Sequence, residues 1–195
     1  MPELSRKDIE ELLKKRGVLL EGHFLLASGR HSARYYEKFR ILEHPEDADR
    51  LCAQMAGHFK GSGIDLVVGP TTGGIILAFT VARHLGIRAL YAEKSPEGRG
   101  FFRGMALAPG EKVLVVDDVL TTGGSVKDTI AAVGRSGGKL RGIGVMIDRS
   151  DVPLDLGAPL FSLYRQVVES FPLENCPLCK AGGKPVAPGA SKRLS

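Results

Sequence analysis

Residues 113–125 read Val-Leu-Val-Val-Asp-Asp-Val-Leu-Thr-Thr-Gly-Gly-Ser. The opening run is short, apolar and mostly β-branched, the pattern of a strand buried on both faces of a parallel sheet. It passes directly into Asp117 and Asp118, and from there into a Thr/Gly/Ser turn that opens a helix. Carboxylates at the end of a buried strand lose hydration and need a polar or cationic group to meet them. Gly123 and Gly124 let backbone N–H groups come close to a ligand, and the helix start beyond them favours an anion. An acid pair after a strand is often only a cap or a solvated turn, and a Gly-Gly pair only a tight connection. The whole combination asks for more: carboxylates for hydroxyls or a metal ion, beside a cradle for phosphate. A sugar phosphate satisfies both halves.

Outward from this segment, strands and helices alternate. Ile64–Gly69 reads as a buried strand, followed by Pro70-Thr71-Thr72-Gly73-Gly74 and an apolar helix to about Leu85. Ala89–Lys94 reads as the next strand, Ser95–Gly100 as a polar loop and Phe101–Leu107 as a return strand. The Val113–Val116 strand leads into a helix over Ser125–Ser136, and Ile143–Ile147 is another strand. Strands separated by helices of this length predict an α/β fold. The sheet is doubly wound and mainly parallel, flanked by helices, with ligands at its carboxyl edge. Ahead of this core, Ser5 and Asp8 have the spacing of a capping box, Ile9, Leu12 and Leu13 form a helical stripe, and Gly17 ends it. Residues 18–42 look irregular and strand-like, and a second amphipathic helix starts at Pro45 with Cys52 as a small core residue. The expected organisation is a hood element over 1–44, a core over 45–170 and a Pro/Gly/Lys-rich, loosely held tail over 171–195.

The 195 residues suffice for one sizeable core. Lys and Arg number 27 against 22 Asp and Glu, a net charge of +5. The excess is scattered apart from Lys14-Lys15-Arg16 and Lys192-Arg193, and without an aromatic platform it suits a polyphosphate ligand better than a nucleic acid. No apolar run approaches the ~20 residues of a membrane span. Three cysteines make no disulfide framework, so a reducing cytoplasm is the expected setting. Cys176-Pro-Leu-Cys179 has the spacing of half a zinc knuckle, but no second pair follows. It reads as a tail-anchoring turn. The five histidines show no ligand spacing among themselves and read as surface or core residues.

The 113–125 segment resembles the phosphoribosyl-pyrophosphate signature of the type I phosphoribosyltransferases. That resemblance implies roles. Asp117 and Asp118 hold the ribose 2- and 3-hydroxyls, the loop Thr121, Thr122, Gly123, Gly124 and Ser125 wraps the 5-phosphate, and Val119 and Leu120 also contact the donor. Thr71, Thr72 and Gly73, in a second copy of the Thr-Thr-Gly-Gly word, form the pyrophosphate loop. Lys94, Arg99 and Arg103 are the cations available to pyrophosphate, Lys94 and Arg103 being placed with the aspartates in the catalytic group. Mg²⁺ is implied as cofactor, bound mainly through substrate and with no direct protein ligand. A lid over Ser95–Gly100 and a homodimer are implied as well.

Leu25-Leu-Ala-Ser-Gly-Arg-His-Ser32 with Tyr35-Tyr36, Ile147-Asp148-Arg149, and the Cys176/Cys179 tail are similar to the orotate phosphoribosyltransferases of a short-loop bacterial subgroup. The resemblance implies that Tyr35 and Tyr36 stack on the pyrimidine. It also implies that Arg149, together with Thr121, meets orotate, whose carboxylate a guanidinium pairs bidentately. The sequence departs from the family where Ala27 and Gly73 stand in place of lysines and where the mobile loop is short and lacks His. The implied reaction is transfer of the 5-phosphoribosyl group from phosphoribosyl pyrophosphate to orotate, giving orotidine 5-phosphate and pyrophosphate in pyrimidine synthesis. A purine phosphoribosyltransferase, and a phosphoribosyl-pyrophosphate sensor that binds nucleic acid, remain the alternatives.

Overall fold

The computed structural model describes residues 3–26, 29–167 and 169–187. Ala27 and Ser28 of the N-terminal motif, and the Lys192-Arg193 cluster, lie outside the described residues.

Helix α1 (Arg6–Lys15) starts as its sequence predicts. The Ser5 hydroxyl accepts from the Asp8 amide, and the Asp8 carboxylate accepts from the Ser5 amide at 2.8 Å. Two orphan donors of the first turn are thereby satisfied. Strands β1 (Leu19–Leu25) and β2 (His31–Tyr36) form an antiparallel hairpin with a register shift between Glu21 and Phe24. A 3-10 turn leads to α2 (Pro45–Phe59), which carries proline in its first turn and buries Leu51, Cys52, Met55 and Phe59. Burial pushes the Cys52 thiol up to about 12, as fits a core thiol.

The core then runs β3 (Leu66–Pro70), α3 (Gly73–Leu85), β4 (Arg88–Ser95), β5 (Gly98–Gly100), β6 (Lys112–Leu120), α4 (Gly124–Arg135), β7 (Lys139–Asp148) and β8 (Leu160–Arg165). These strands form one sheet in the order β5-β4-β3-β6-β7-β8, parallel throughout except for β5. The chain steps outward from β3 to β4 on one side, then returns to place β6 on the other side of β3. Direction of winding therefore reverses between β3 and β6, and a crevice opens outside the carboxyl ends of those strands.

Alternation along the strands divides the core in two. Val67, Leu114 and Val116 face α2 and α3, whereas Val68, Val113 and Val115 face α4. Glycines in β7 admit α2: a Cβ on Gly142 would lie 2.7 Å from the Phe59 ring, and one on Gly144 would lie 2.7 Å from the Met55 sulfur.

Three sequence expectations need correction here. Phe101–Leu107 is not a strand. The return strand is β5, directly after the two-residue Pro96-Glu97 turn, with Ser95 opposite Gly98 and Lys94 opposite Arg99. Gly98 takes φ +105°, which closes the turn at once, and left-handed Arg103 and Gly104 end any extended run beyond it. The segment from 95 to 100 is accordingly a hairpin tip and not a polar loop. Residues 171–187, the described part of the tail, are also not loosely held. Strand β9 (Ser170–Phe171) pairs with β2, the short helix α5 (Pro177–Lys180) follows, and Cys176 is fully buried. Val186 exchanges main-chain hydrogen bonds with the hairpin, accepting from Leu25 at 2.9 Å and donating to His23 at 2.8 Å.

Where β3 turns into α3, a Cβ on Gly69 would overlap the Gly74 carbonyl, and one on Gly74 would sit 2.5 Å from Pro70 Cδ. Overpacking of this kind costs roughly 1–3 kcal/mol. Gly74→Ala is expected to lower the thermal midpoint by several degrees, about 2–4 °C for each kcal/mol in a chain of this size. Gly57→Ala, in α2 with no atom within 4 Å of the new methyl, is expected to leave the midpoint unchanged or raise it. Thermal unfolding of the two variants reads both.

Candidate active site

Strand β6 carries Asp117 and Asp118 to the crevice, where they are 5% and 2% exposed. Each is held by the amide that follows it: Asp118 N–H donates to Asp117 Oδ1 at 2.8 Å, and Val119 N–H donates to Asp118 Oδ1 at 2.7 Å. Neighbouring residues in a strand point to opposite faces. Asp118 thus leans toward α3, so close that a Cβ on Gly73 would overlap its carboxylate. Asp117 lines the hollow formed by residues 119–126. The acid pair is therefore shared between the two Thr-Thr-Gly-Gly loops.

Both loops open helices without a side-chain cap. Thr72 precedes α3, and Gly123, with φ +80°, precedes α4; neither makes a side-chain capping bond. The Ile75 amide donates to the Thr72 carbonyl at 3.2 Å, which leaves the amides of Gly73 and Gly74, and those that open α4, to a ligand at the positive ends of the helix dipoles. Thr72, Thr121, Thr122 and Gly124 are exposed, so both rims face solvent. The Thr71–Thr72 peptide bond is cis.

The three candidate cations have separate environments. Arg99 is buried between the loops: Nη1 donates to Thr71 Oγ1 at 3.1 Å and to the Ala92 carbonyl at 2.9 Å, and Nη2 donates to Ser125 Oγ at 3.3 Å. It ties the two cradles together and holds their spacing. Arg103 is exposed and paired with Glu93, Nε to Oε1 at 2.9 Å. Lys94 is exposed near the hairpin tip.

Arg149 follows β7 and donates its amide to the Leu120 carbonyl at 2.8 Å, which places it beside the start of the Thr121 loop. Its guanidinium lies 4.8 Å from the Tyr36 ring centroid, and burial lowers its pKa from the usual guanidinium value. The Tyr36 hydroxyl donates to Gln166 Oε1 at 3.0 Å, as does Tyr164 at 2.5 Å. Tyr35 lies on the other face of the hairpin, with its ring 5.8 Å from that of Phe24. Period-2 alternation sends the two rings to opposite faces of β2. Tyr36 is the one whose ring lies against the Arg149 guanidinium.

Sequence reasoning missed the support beneath Arg149. Asp148 is buried, accepts from the Ser150 amide at 2.9 Å and its hydroxyl at 2.6 Å, and pairs with Arg165 at 3.3 Å. Arg165 ends β8, a strand whose mixed Leu-Phe-Ser-Leu-Tyr-Arg pattern gives no clean period. A roomier cleft of about 610 Å³ lies between the start of α1, α2 and β8, lined by Arg50, Gln54, His58 and Phe161 among others. It shares no residue with the crevice and has no glycine-rich turn.

Among the described residues, no helix is long and apolar enough to cross a membrane. The phosphoribosyl transferase domain family profile matches residues 40–163. An orotate phosphoribosyltransferase of Pelotomaculum thermopropionicum is 46% identical over 189 residues, 97% of this chain and 100% of the relative. One of Thermotoga maritima is 43% identical over 93% of this chain and 97% of its own length. The crystal structure of orotate phosphoribosyltransferase from Aeropyrum pernix superposes with a TM-score of 0.65 at 28% identity, covering 89% of this chain and 98% of that one. With the crevice, the two uncapped cradles and the acid pair in place, these likenesses have one reading: the chain belongs to the orotate phosphoribosyltransferases, within the phosphoribosyl transferase domain family.

Proposed function

We propose that the crevice takes phosphoribosyl pyrophosphate across the β3/β6 switch point and transfers its 5-phosphoribosyl group to orotate. The single observation that carries this reading is the pair of uncapped helix starts on neighbouring strands with a buried acid pair between them. A sugar phosphorylated at both ends matches two anion cradles, and its diol matches the carboxylates. Residues 71–74 receive the pyrophosphate and residues 121–125 the 5-phosphate, while Asp117 and Asp118 accept hydrogen bonds from the ribose hydroxyls. Arg149 and the base of the Thr121 loop receive orotate beside the Tyr36 ring.

Departure of pyrophosphate leaves an electron-poor ribosyl centre. Catalysis then rests on stabilising the leaving group and on holding the nucleophile in line. Orotate N1 is already acidic, so no dedicated general base is required. The amides of α3 and the exposed Lys94 meet the leaving group's charge. Arg103 joins them when it exchanges Glu93 for the anion. Arg99 acts as a positioning residue, because its guanidinium is occupied in joining the loops. The β4–β5 tip closes over the site, in this dimeric reading the neighbouring subunit's, and excludes water. Exposed Ile76 and Phe79 on α3 are the kind of surface that a second copy covers.

The carboxylates suit Mg²⁺ as hard oxygen donors. They lie on opposite faces of β6 and are engaged by main-chain amides, which fits an ion carried mainly by substrate oxygens and not a protein cage. When bound, Mg²⁺ neutralises charge developing on pyrophosphate. A cytoplasmic setting accords with three unpaired thiols.

Orotate consumption with phosphoribosyl pyrophosphate, compared with adenine, hypoxanthine and xanthine, tests the assignment. Turnover with a purine and none with orotate overturns it. Asp117→Asn combined with Asp118→Asn is expected to cut turnover by about 10²–10³-fold or more with thermal unfolding unchanged. Arg149→Met is expected to raise the KM for orotate about 10- to 100-fold and to leave that for phosphoribosyl pyrophosphate unchanged. Arg149→Lys should not restore it, since an ammonium cannot pair a carboxylate bidentately.

A further inference from the structure

Two of the five histidines, His23 and His31, come together although the sequence shows no ligand spacing between them. The antiparallel register that sets Leu25 opposite His31 brings His23 beside it, and the tail docks Cys176 and Cys179 onto the same spot. Four potential ligand atoms, one from each residue, all lie within 4.8 Å of one another. His23 Nε2 is 3.6 Å from Cys176 Sγ and 3.7 Å from Cys179 Sγ, and His31 Nδ1 is 3.3 Å from Cys179 Sγ.

We propose that these residues form a structural Zn²⁺ site, Cys₂His₂, that clamps the C-terminal segment to the β1–β2 hairpin. Tetrahedral zinc with Zn–S near 2.3 Å and Zn–N near 2.0 Å implies N···S edges of about 3.6 Å, close to those observed. The two imidazole nitrogens are 2.8 Å apart, a hydrogen-bond distance. A bound ion would open them to about 3.3 Å, the tetrahedral N···N edge for the same bond lengths. Ligand softness selects the metal: two thiolates with two imidazoles suit zinc and not a hard cation such as Mg²⁺. On binding, each thiol gives up its proton to solvent and its sulfur lone pair to the ion.

The surroundings are those of a built site. His31 is 3% exposed and Cys176 fully buried. The outer nitrogen of His23, Nδ1, lies 3.0 Å from the Gly183 carbonyl. With the proton on Nδ1, that contact fixes the ring and turns the Nε2 lone pair toward the cluster. A Cβ on Gly183 would lie 3.2 Å from the same nitrogen, so glycine is what lets the main chain reach it. The site closes a loop of about 150 residues and braces the hairpin that carries Tyr36. It lies outside the crevice, and its occupancy does not depend on the activity proposed above.

The test uses untagged, full-length, reduced protein purified from zinc-supplemented medium. Elemental analysis is expected to find about one zinc per chain. After stripping, stoichiometric Co²⁺ should give visible ligand-field bands and a near-ultraviolet thiolate charge-transfer band. Cys179→Ser and His31→Ala should lose both the zinc and the tetrahedral cobalt spectrum, while Cys52→Ala keeps them. If those site variants do not fold, the cobalt titration of the stripped natural chain decides. Zinc below about a tenth of an equivalent with no cobalt bands overturns the proposal, as does full zinc retention in Cys179→Ser.

Discussion

Alternation along β6 is the constraint on which the rest depends. A strand sends successive side chains to opposite faces, so the acids at its end are divided: Asp118 goes to the α3 side and Asp117 to the α4 side. Each face of the sheet then ends in a helix start with unused N–H donors. A ligand lying across the strand end meets an anion cradle, two carboxylates and a second cradle in succession. This arrangement rests on strand pairing. It needs β3 and β6 to be neighbours, which the reversal of winding ensures, and Arg99 to hold the loops apart at a fixed span.

Close packing sets that geometry together with the Arg99 hydrogen bonds. Gly69 and Gly74 let strand end and helix start touch, and Gly73 leaves room for the Asp118 carboxylate. The missing lysine at position 73 acquires a physical meaning in this light. A side chain there would compete with Asp118 for the same volume.

Much of this was legible in the sequence because the signals are local. The apolar run 113–116, the turn residues 121–125 and the Ser5/Asp8 box each specify their own geometry within a few residues. What escaped depends on partners far along the chain. The return strand was placed late, since only the positive φ of Gly98 shows how soon the chain reverses. Tyr35 and Tyr36 read as one aromatic face until the hairpin separated them. Strand β8 has no clean period, and Asp148 with Arg165 becomes visible only once β7 and β8 are paired. The histidine–cysteine cluster joins residues about 150 positions apart across a hairpin with a shifted register, which no spacing rule anticipates.

The account turns on how one donor molecule lies in the crevice. A crystal structure with phosphoribosyl pyrophosphate and Mg²⁺ measures that directly. The predicted result has the pyrophosphate on the amides of residues 72–74, the 5-phosphate on those of 121–125, and the ribose hydroxyls on Asp117 and Asp118. A donor bound in the cleft beside Arg50 and His58, or one whose ribose leaves both carboxylates untouched, would contradict it.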